Sequence, residues 1–142
     1  MSEMNGGRPE VLIADDEEAV CFTLKRSLTR RGYVVHVAAD GRSAIDAACA
    51  RADRIGIVFL DVVMPRMGGL AALGPIRDML PAARFCLMTA YRRDLTRRWA
   101  DPTVPILDKP FDLAAFLATM DALLVPVTML AEDNLNPHVV TK

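Results

Sequence analysis

One stretch limits the possible folds of this chain more than any other. Ile55-Gly56-Ile57-Val58-Phe59-Leu60 runs without a polar interruption into Asp61 and then into Val62-Val63-Met64-Pro65-Arg66-Met67-Gly68-Gly69. A short apolar run bounded by turn residues reads as a strand buried on both faces, as strands of parallel sheets are. Asp61 then closes the strand at its carboxyl end, the edge at which open α/β sheets bind ligands. Pro65, Gly68 and Gly69 require a turn before the next helix. A carboxylate in that place either caps a loop or reacts.

The flanking sequence repeats the alternation. Glu10-Val11-Leu12-Ile13-Ala14 is a first strand, followed by Asp15-Asp16-Glu17-Glu18 and a helix over Ala19–Arg31 with Val20, Leu24 and Leu28 on one face. Acids at its start and bases at its end suit the helix dipole, and Gly32 stops it. Tyr33–Ala38 reads as a second strand, Asp40-Gly41 as a turn and Ser43–Arg51 as an Ala-rich helix. After the Asp61 strand, a helix over Gly69–Met79 is expected to break or end near Gly74-Pro75. Arg84–Met88 is a fourth strand ending in Thr89-Ala90, and Arg92–Ala100 a short helix. Val104–Leu107 is a fifth strand, which Pro105 marks as an edge. Asp108-Lys109-Pro110 precedes a last helix over Phe111–Leu124, and from Val127 the pattern fades. Five strands alternating with five helices imply right-handed crossovers and a parallel sheet covered on both faces.

Composition narrows the class. The 142 residues suit one domain, 52% are hydrophobic and 25% charged, as in ordinary globular proteins. A net charge of −1 gives no global field toward nucleic acid or membrane. The opening residues lack the apolar core of a signal peptide, and no apolar run reaches bilayer length. Cys21, Cys49 and Cys86 are odd in number and widely spaced, which suits buried, reduced thiols in a cytoplasmic protein. His36 reads as a surface-facing strand residue and His138 as part of the tail, neither with metal-ligand company.

Four strand ends therefore meet at one sheet edge: Asp15 and Asp16, Asp61, Thr89, and Lys109. Clustered carboxylates repel one another unless a cation lies among them, and hard oxygen ligands suit Mg²⁺. Lys109 offers a compact positive charge and Thr89 a hydroxyl donor. A nucleophilic carboxylate with these three partners suits a phosphoryl group that lands on Asp and stays. Each residue also has a plain structural reading, such as a first-turn acid, a strand-end cap or a turn lysine. Four such coincidences at one edge favour the phosphoryl site.

Over Glu10 to Leu124 the chain resembles the receiver domains of two-component response regulators. The resemblance is carried by Ile13-Ala14-Asp15-Asp16-Glu17, by Leu60-Asp61-Val62-Val63-Met64-Pro65-Arg66-Met67-Gly68-Gly69, by Met88-Thr89-Ala90 and by Asp108-Lys109-Pro110-Phe111. It implies a flavodoxin-like fold with strand order 2-1-3-4-5. It implies phosphoryl acceptance on Asp61 from a sensor histidine kinase or histidine phosphotransfer protein. Asp15, Asp16, Asp61 and the Val63 carbonyl would hold Mg²⁺ or Mn²⁺. Lys109, joined to Pro110 by a cis peptide bond, and Thr89 would stabilise the phosphoryl group. Residues 10–125 would form the receiver, 1–9 a lead-in and 126–142 an extension. Output would pass to an unidentified downstream protein, or through phosphorylation-linked dimerisation around helix four, strand five and helix five.

Several positions depart from the family pattern. Ile106 stands where an aromatic residue is usual, so signalling is expected to run through Thr89-Ala90-Tyr91 while Ile106 stays inward. Val63 and Tyr91 flank the path of water to an acyl phosphate and predict slow self-dephosphorylation. Tyr91, Leu95 and Trp99 share one helical stripe, and Arg92, Arg93, Arg97 and Arg98 lie off it, a solvated face before a docking one. The chain is expected to be a signalling switch and not an enzyme on an external substrate. A haloacid dehalogenase-type phosphatase would need a second Asp where Val63 stands. A receiver-like module that works without phosphorylation is the other alternative. A flavodoxin is disfavoured because Asp15-Asp16 would repel a flavin phosphate.

Overall fold

The computed structural model describes residues 7–125. They form β1 (Glu10–Ala14), α1 (Glu18–Arg30), β2 (Val35–Ala38), α2 (Gly41–Ala50) and β3 (Ile55–Asp61). These are followed by α3 (Gly69–Met79), β4 (Arg84–Thr89), α4 (Arg92–Arg98), β5 (Ile106–Asp108) and α5 (Leu113–Leu123). All neighbouring strands are parallel, in the order 2-1-3-4-5, which is the flavodoxin-like arrangement.

The apolar runs become strands because both faces of the sheet are covered. Leu12, Ala14, Val58, Leu60 and Leu87 pack with Ala44 and Ala48 of α2, Ala72, Leu73 and Ile76 of α3 and Leu95 of α4 in one core. Their alternates on the other face, Val11, Ile13, Ile57 and Phe59, are almost wholly buried as well. No polar residue is tolerated inside β3 because neither face reaches water.

The chain divides into two compact units, with the boundary between Phe111 and Asp112. In the described part of the second unit, α5 is capped by Asp112, whose side chain accepts from the Ala115 N–H. Phe116, Met120 and Leu123 are its buried residues. The expected extension over 126–142, His138 included, lies outside the described residues.

Several expectations need correction. Helix α3 does not break at Gly74-Pro75 but runs through Pro75 to Met79. Pro75 removes one backbone donor, yet Ala72, Leu73 and Ile76 bury on both sides of it, and that burial outweighs the lost bond. Strand β5 covers Ile106–Asp108, not 104–107; Pro105 stays outside the strand but its carbonyl accepts from Leu87 N–H at 3.0 Å. β5 pairs only with β4, so the proline does mark an edge. Cys49 is exposed, whereas Cys21 and Cys86 are buried. His36 does not simply face water. Its Nε2 lies 2.7 Å from Glu10 Oε1, and Arg51 closes on the same buried carboxylate with bonds of 2.9 to 3.2 Å. The proposed stripe on α4 is also incomplete: Leu95 is buried and Trp99 partly so, but Tyr91 precedes the helix and is 63% exposed.

Candidate functional site

The candidate acids, hydroxyl and ammonium sit at or just past strand ends. Asp15 extends the β1 ladder, its N–H donating to the Ala38 carbonyl at 3.0 Å. Its Oδ1 accepts from the Glu17 N–H at 2.9 Å, and this local turn leads into α1. Asp61 ends β3 in register with Met88, and the next residue, Thr89, ends β4. Thr89 pairs with Asp108 of β5, and its carbonyl accepts from the Lys109 N–H at 2.8 Å. The ladder thus delivers β1, β3, β4 and β5 ends to one edge. The Lys109–Pro110 peptide bond is cis.

At that edge one carboxylate oxygen from each of Asp15, Asp16 and Asp61 lies within 4.8 Å of the others. Asp15 and Asp61 are buried and Asp16 is exposed. Lys109 Nζ reaches Asp15 Oδ2 at 2.9 Å, Glu17 Oε1 at 2.9 Å and Asp61 Oδ2 at 3.1 Å. Burial, and then the charge of Asp15, raise the Asp61 carboxyl to about 6, although bonds from Lys109 and the Val63 N–H oppose the shift. Burial alone would lower Lys109, but its bonds to Asp15, Glu17 and Asp61 outweigh that and hold it firmly protonated. Three carboxylates therefore share one ammonium, with Asp16 beside them, a set short of positive charge. The donor set fits a hard divalent cation: oxygen ligands, two of them buried and one open to water.

The loop after Asp61 allows close backbone approach. A Cβ on Gly69 would collide with the Asp61 carbonyl oxygen, so only glycine lets α3 start there. Val63 is 58% exposed, and its N–H lies 3.4 Å from Asp61 Oδ1.

Around Thr89 the placement is mixed. Thr89 is buried, and its Oγ1 accepts from the Tyr91 N–H at 2.9 Å. Ile106 is half-buried and packs against the core, its backbone carbonyl accepting from Arg92 Nη2 at 2.5 Å. Trp99 packs against the same core. In the Arg cluster, Arg92 pairs with Asp108 at 2.7 Å and Arg98 with Asp94 at 3.4 Å, all largely exposed.

Sequence reasoning missed two contributors. Glu17 stands in the sequence as part of an acidic run and of the first matching motif, with no role of its own, although an acid two residues after a strand-end Asp is an available signal. In the sequence, Asp40-Gly41 shows only a turn. Asp40 is buried, caps α2 by accepting from Ser43 N–H at 2.8 Å, and accepts from Arg66 Nε at 2.7 Å.

A profile of the response regulator receiver domain matches residues 11–121. The chain is 39% identical over 117 residues to the response regulator MprA of Mycolicibacterium vanbaalenii, covering 80% of this chain and 49% of that protein. It is 36% identical over 120 residues to the sensor kinase CckA of Brucella abortus, covering 83% of this chain and 13% of that protein. The chain thus spans half or less of the curated relatives it matches. Among solved structures, the response regulator TrrA of Thermotoga maritima, in complex with Mg²⁺ and BeF, is 30% identical with a TM-score of 0.68. That match covers 82% of this chain and all of TrrA's. No helix among the described residues is long and apolar enough to cross a membrane.

Proposed function

The chain belongs to the response regulator receiver domain family, and from that premise we propose that it is a switch set by a phosphoryl group on Asp61. The observation that carries the reading is one ammonium, Lys109, bonded to both Asp15 and Asp61 beside a third carboxylate, Asp16.

In this reading the donor is a phosphohistidine of a sensor kinase or phosphotransfer protein. An Asp61 oxygen bonds to phosphorus as the N–P bond breaks, and the electron pair returns to the imidazole. Lys109 and Thr89 donate to the phosphoryl oxygens, in a transition state where the protein mainly positions and neutralises. Asp15, Asp16, Asp61 and the Val63 carbonyl would hold Mg²⁺ or Mn²⁺, which would supply positive charge to the phosphoryl oxygens. Within the described residues, 10–125 act as the receiver domain.

The signal leaves through Thr89. When its hydroxyl turns to the phosphoryl group it gives up the Tyr91 N–H, so the Tyr91 turn and the start of α4 are free to move. Ile106 stays inward, having no polar tip to exchange between core and water. Trp99 and Tyr91 report the change to a downstream protein, in the cytoplasm.

Intact mass after incubation with Mg²⁺ and acetyl phosphate tests the acceptor, with wild type and Asp61→Asn in parallel. One added phosphoryl group in wild type alone supports Asp61. Labelling of both proteins would move the acceptor elsewhere.

A further inference from the structure

Lys109 has no hydrogen to spare. An ammonium carries three donors, and here they are directed to Asp15 Oδ2, Asp61 Oδ2 and Glu17 Oε1 at 2.9, 3.1 and 2.9 Å. A phosphoryl oxygen arriving at Asp61 gains a bond from Lys109 only if one of these opens.

The three partners are not equivalent. The Asp15 and Asp61 side chains are 0% and 6% exposed, so releasing either before the phosphoryl bond forms leaves a buried carboxylate one donor short. The Glu17 side chain is 61% exposed and returns to water when released. Its backbone does not have to move, because the Glu17 N–H stays on Asp15 Oδ1. Glu17 is therefore the bond that yields most easily.

We propose that Glu17 is a positioning residue that tethers the third hydrogen of Lys109 before phosphorylation and surrenders it to the incoming phosphoryl group. This rests on Asp61 being the acceptor. With acetyl phosphate, an Asp61 oxygen bonds to phosphorus while the bond to acetate breaks, and acetate leaves with the electron pair. No proton is consumed; one Lys109 hydrogen passes from a Glu17 oxygen to a phosphoryl oxygen as hydrogen-bond donor only. The tether must open on the way in and is already open in the product. It therefore slows labelling more than it affects decay.

Charge has to be separated from tethering, because Glu17 also repels an anionic donor. Glu17→Asp keeps the charge but is one methylene short of Lys109. Glu17→Gln keeps the reach and an acceptor oxygen but loses the charge. Labelling rates by intact mass, decay half-lives, and the ¹⁵N signal of the Lys109 ammonium without phosphodonor would be measured for wild type, these variants and Glu17→Ala. Glu17→Asp and Glu17→Ala are expected to label about two- to fivefold faster than wild type. Decay should move by less, and the Lys109 ammonium should exchange faster with water in both variants. Wild-type behaviour of Glu17→Asp, with faster Glu17→Gln, would reduce Glu17 to simple charge repulsion and overturn the proposal. Equal rates in all proteins, with an unchanged ammonium signal, would also overturn it. If nothing labels but the ammonium signal still depends on Glu17, the Asp61 reading fails and takes this role with it, while the resting tether stands.

Discussion

Arg66 holds a left-handed backbone, φ 65°, while its guanidinium closes on the buried Asp40 carboxylate from a loop 26 residues away. The Gly41 N–H donates to the neighbouring Met67 carbonyl at 2.7 Å, and a Cβ on Gly41 would meet that oxygen at 2.6 Å. The β2–α2 turn thus clamps the loop that leaves Asp61. A non-glycine residue in the left-handed region is disfavoured, so the ion pair holds the loop in a shape that Arg66 alone would not choose.

That clamp can be dissected. Arg66→Ala loses the ion pair and keeps the disfavoured backbone, whereas Arg66→Gly loses the pair and relieves the backbone. Urea midpoints should rank wild type above Gly and Gly above Ala, the two variants differing by about 1 kcal/mol. Ala at or above Gly would show that the backbone carries no penalty.

Bonds from the Ser43 backbone and hydroxyl, and then from Arg66, hold the Asp40 carboxyl down at about 2. A carboxyl depressed by folding stabilises above its unfolded value near 4, and that contribution is lost as pH falls toward 2. Asp40→Asn should therefore melt lower than wild type at pH 7 and converge with it between about pH 4 and pH 2. A constant difference across that range would refute the linkage.

The Asp61 carboxyl shifts the other way. Raised to about 6 by burial and Asp15, it binds a proton in the folded protein over a range where the unfolded chain does not. Without metal, stability should fall as pH rises from about 4 to 6, and Asp61→Asn should remove that slope. At pH 7 the metal-free variant is expected to be more stable by on the order of 1–3 kcal/mol. Thermal melts across pH, with and without Mg²⁺, check this; Mg²⁺ should erase the wild-type slope.

If Asp61 carries the phosphoryl group, its loss is expected to be slow, because Val63 is exposed beside Asp61 and offers water no polar group. Val63→Asn should shorten the half-life of the phosphorylated protein by about tenfold. An unchanged half-life would place control of water elsewhere.

Glu10 provides a test away from the site. Burial raises its carboxyl, but bonds from His36 and Arg51 outweigh this and leave it below the ordinary value. Its contribution is present above about pH 4.5 and is lost below. Glu10→Ala would strand Arg51 and His36 and should cost about 2 kcal/mol at pH 7, read from denaturant midpoints.

The order of strands and helices, and the candidate acids, ammonium and hydroxyl at the strand ends, were legible in the sequence. Burial on both faces forces continuous apolar runs such as Ile57–Leu60, and a charge at the end of such a run must lie at the sheet edge. Local chemistry, read along the chain, stops there. Helix α3 runs through Pro75 because neighbours bury Leu73 and Ile76, and no pattern within the helix records those neighbours. His36 and Arg51 share Glu10, and Arg66 finds Asp40, across separations of 26 to 41 residues. Only the tertiary fold brings such groups together, His36 and Glu10 from neighbouring strands and Arg66 and Asp40 from loops beyond them. The same packing of loops at the strand ends sets which carboxylates Lys109 can reach, and so adds Glu17 to Asp15 and Asp61. Side-chain chemistry was therefore decided by the sequence, and its partners by the tertiary structure, because hydrogen bonds act over about 3 Å and depend on where the backbone has already been carried.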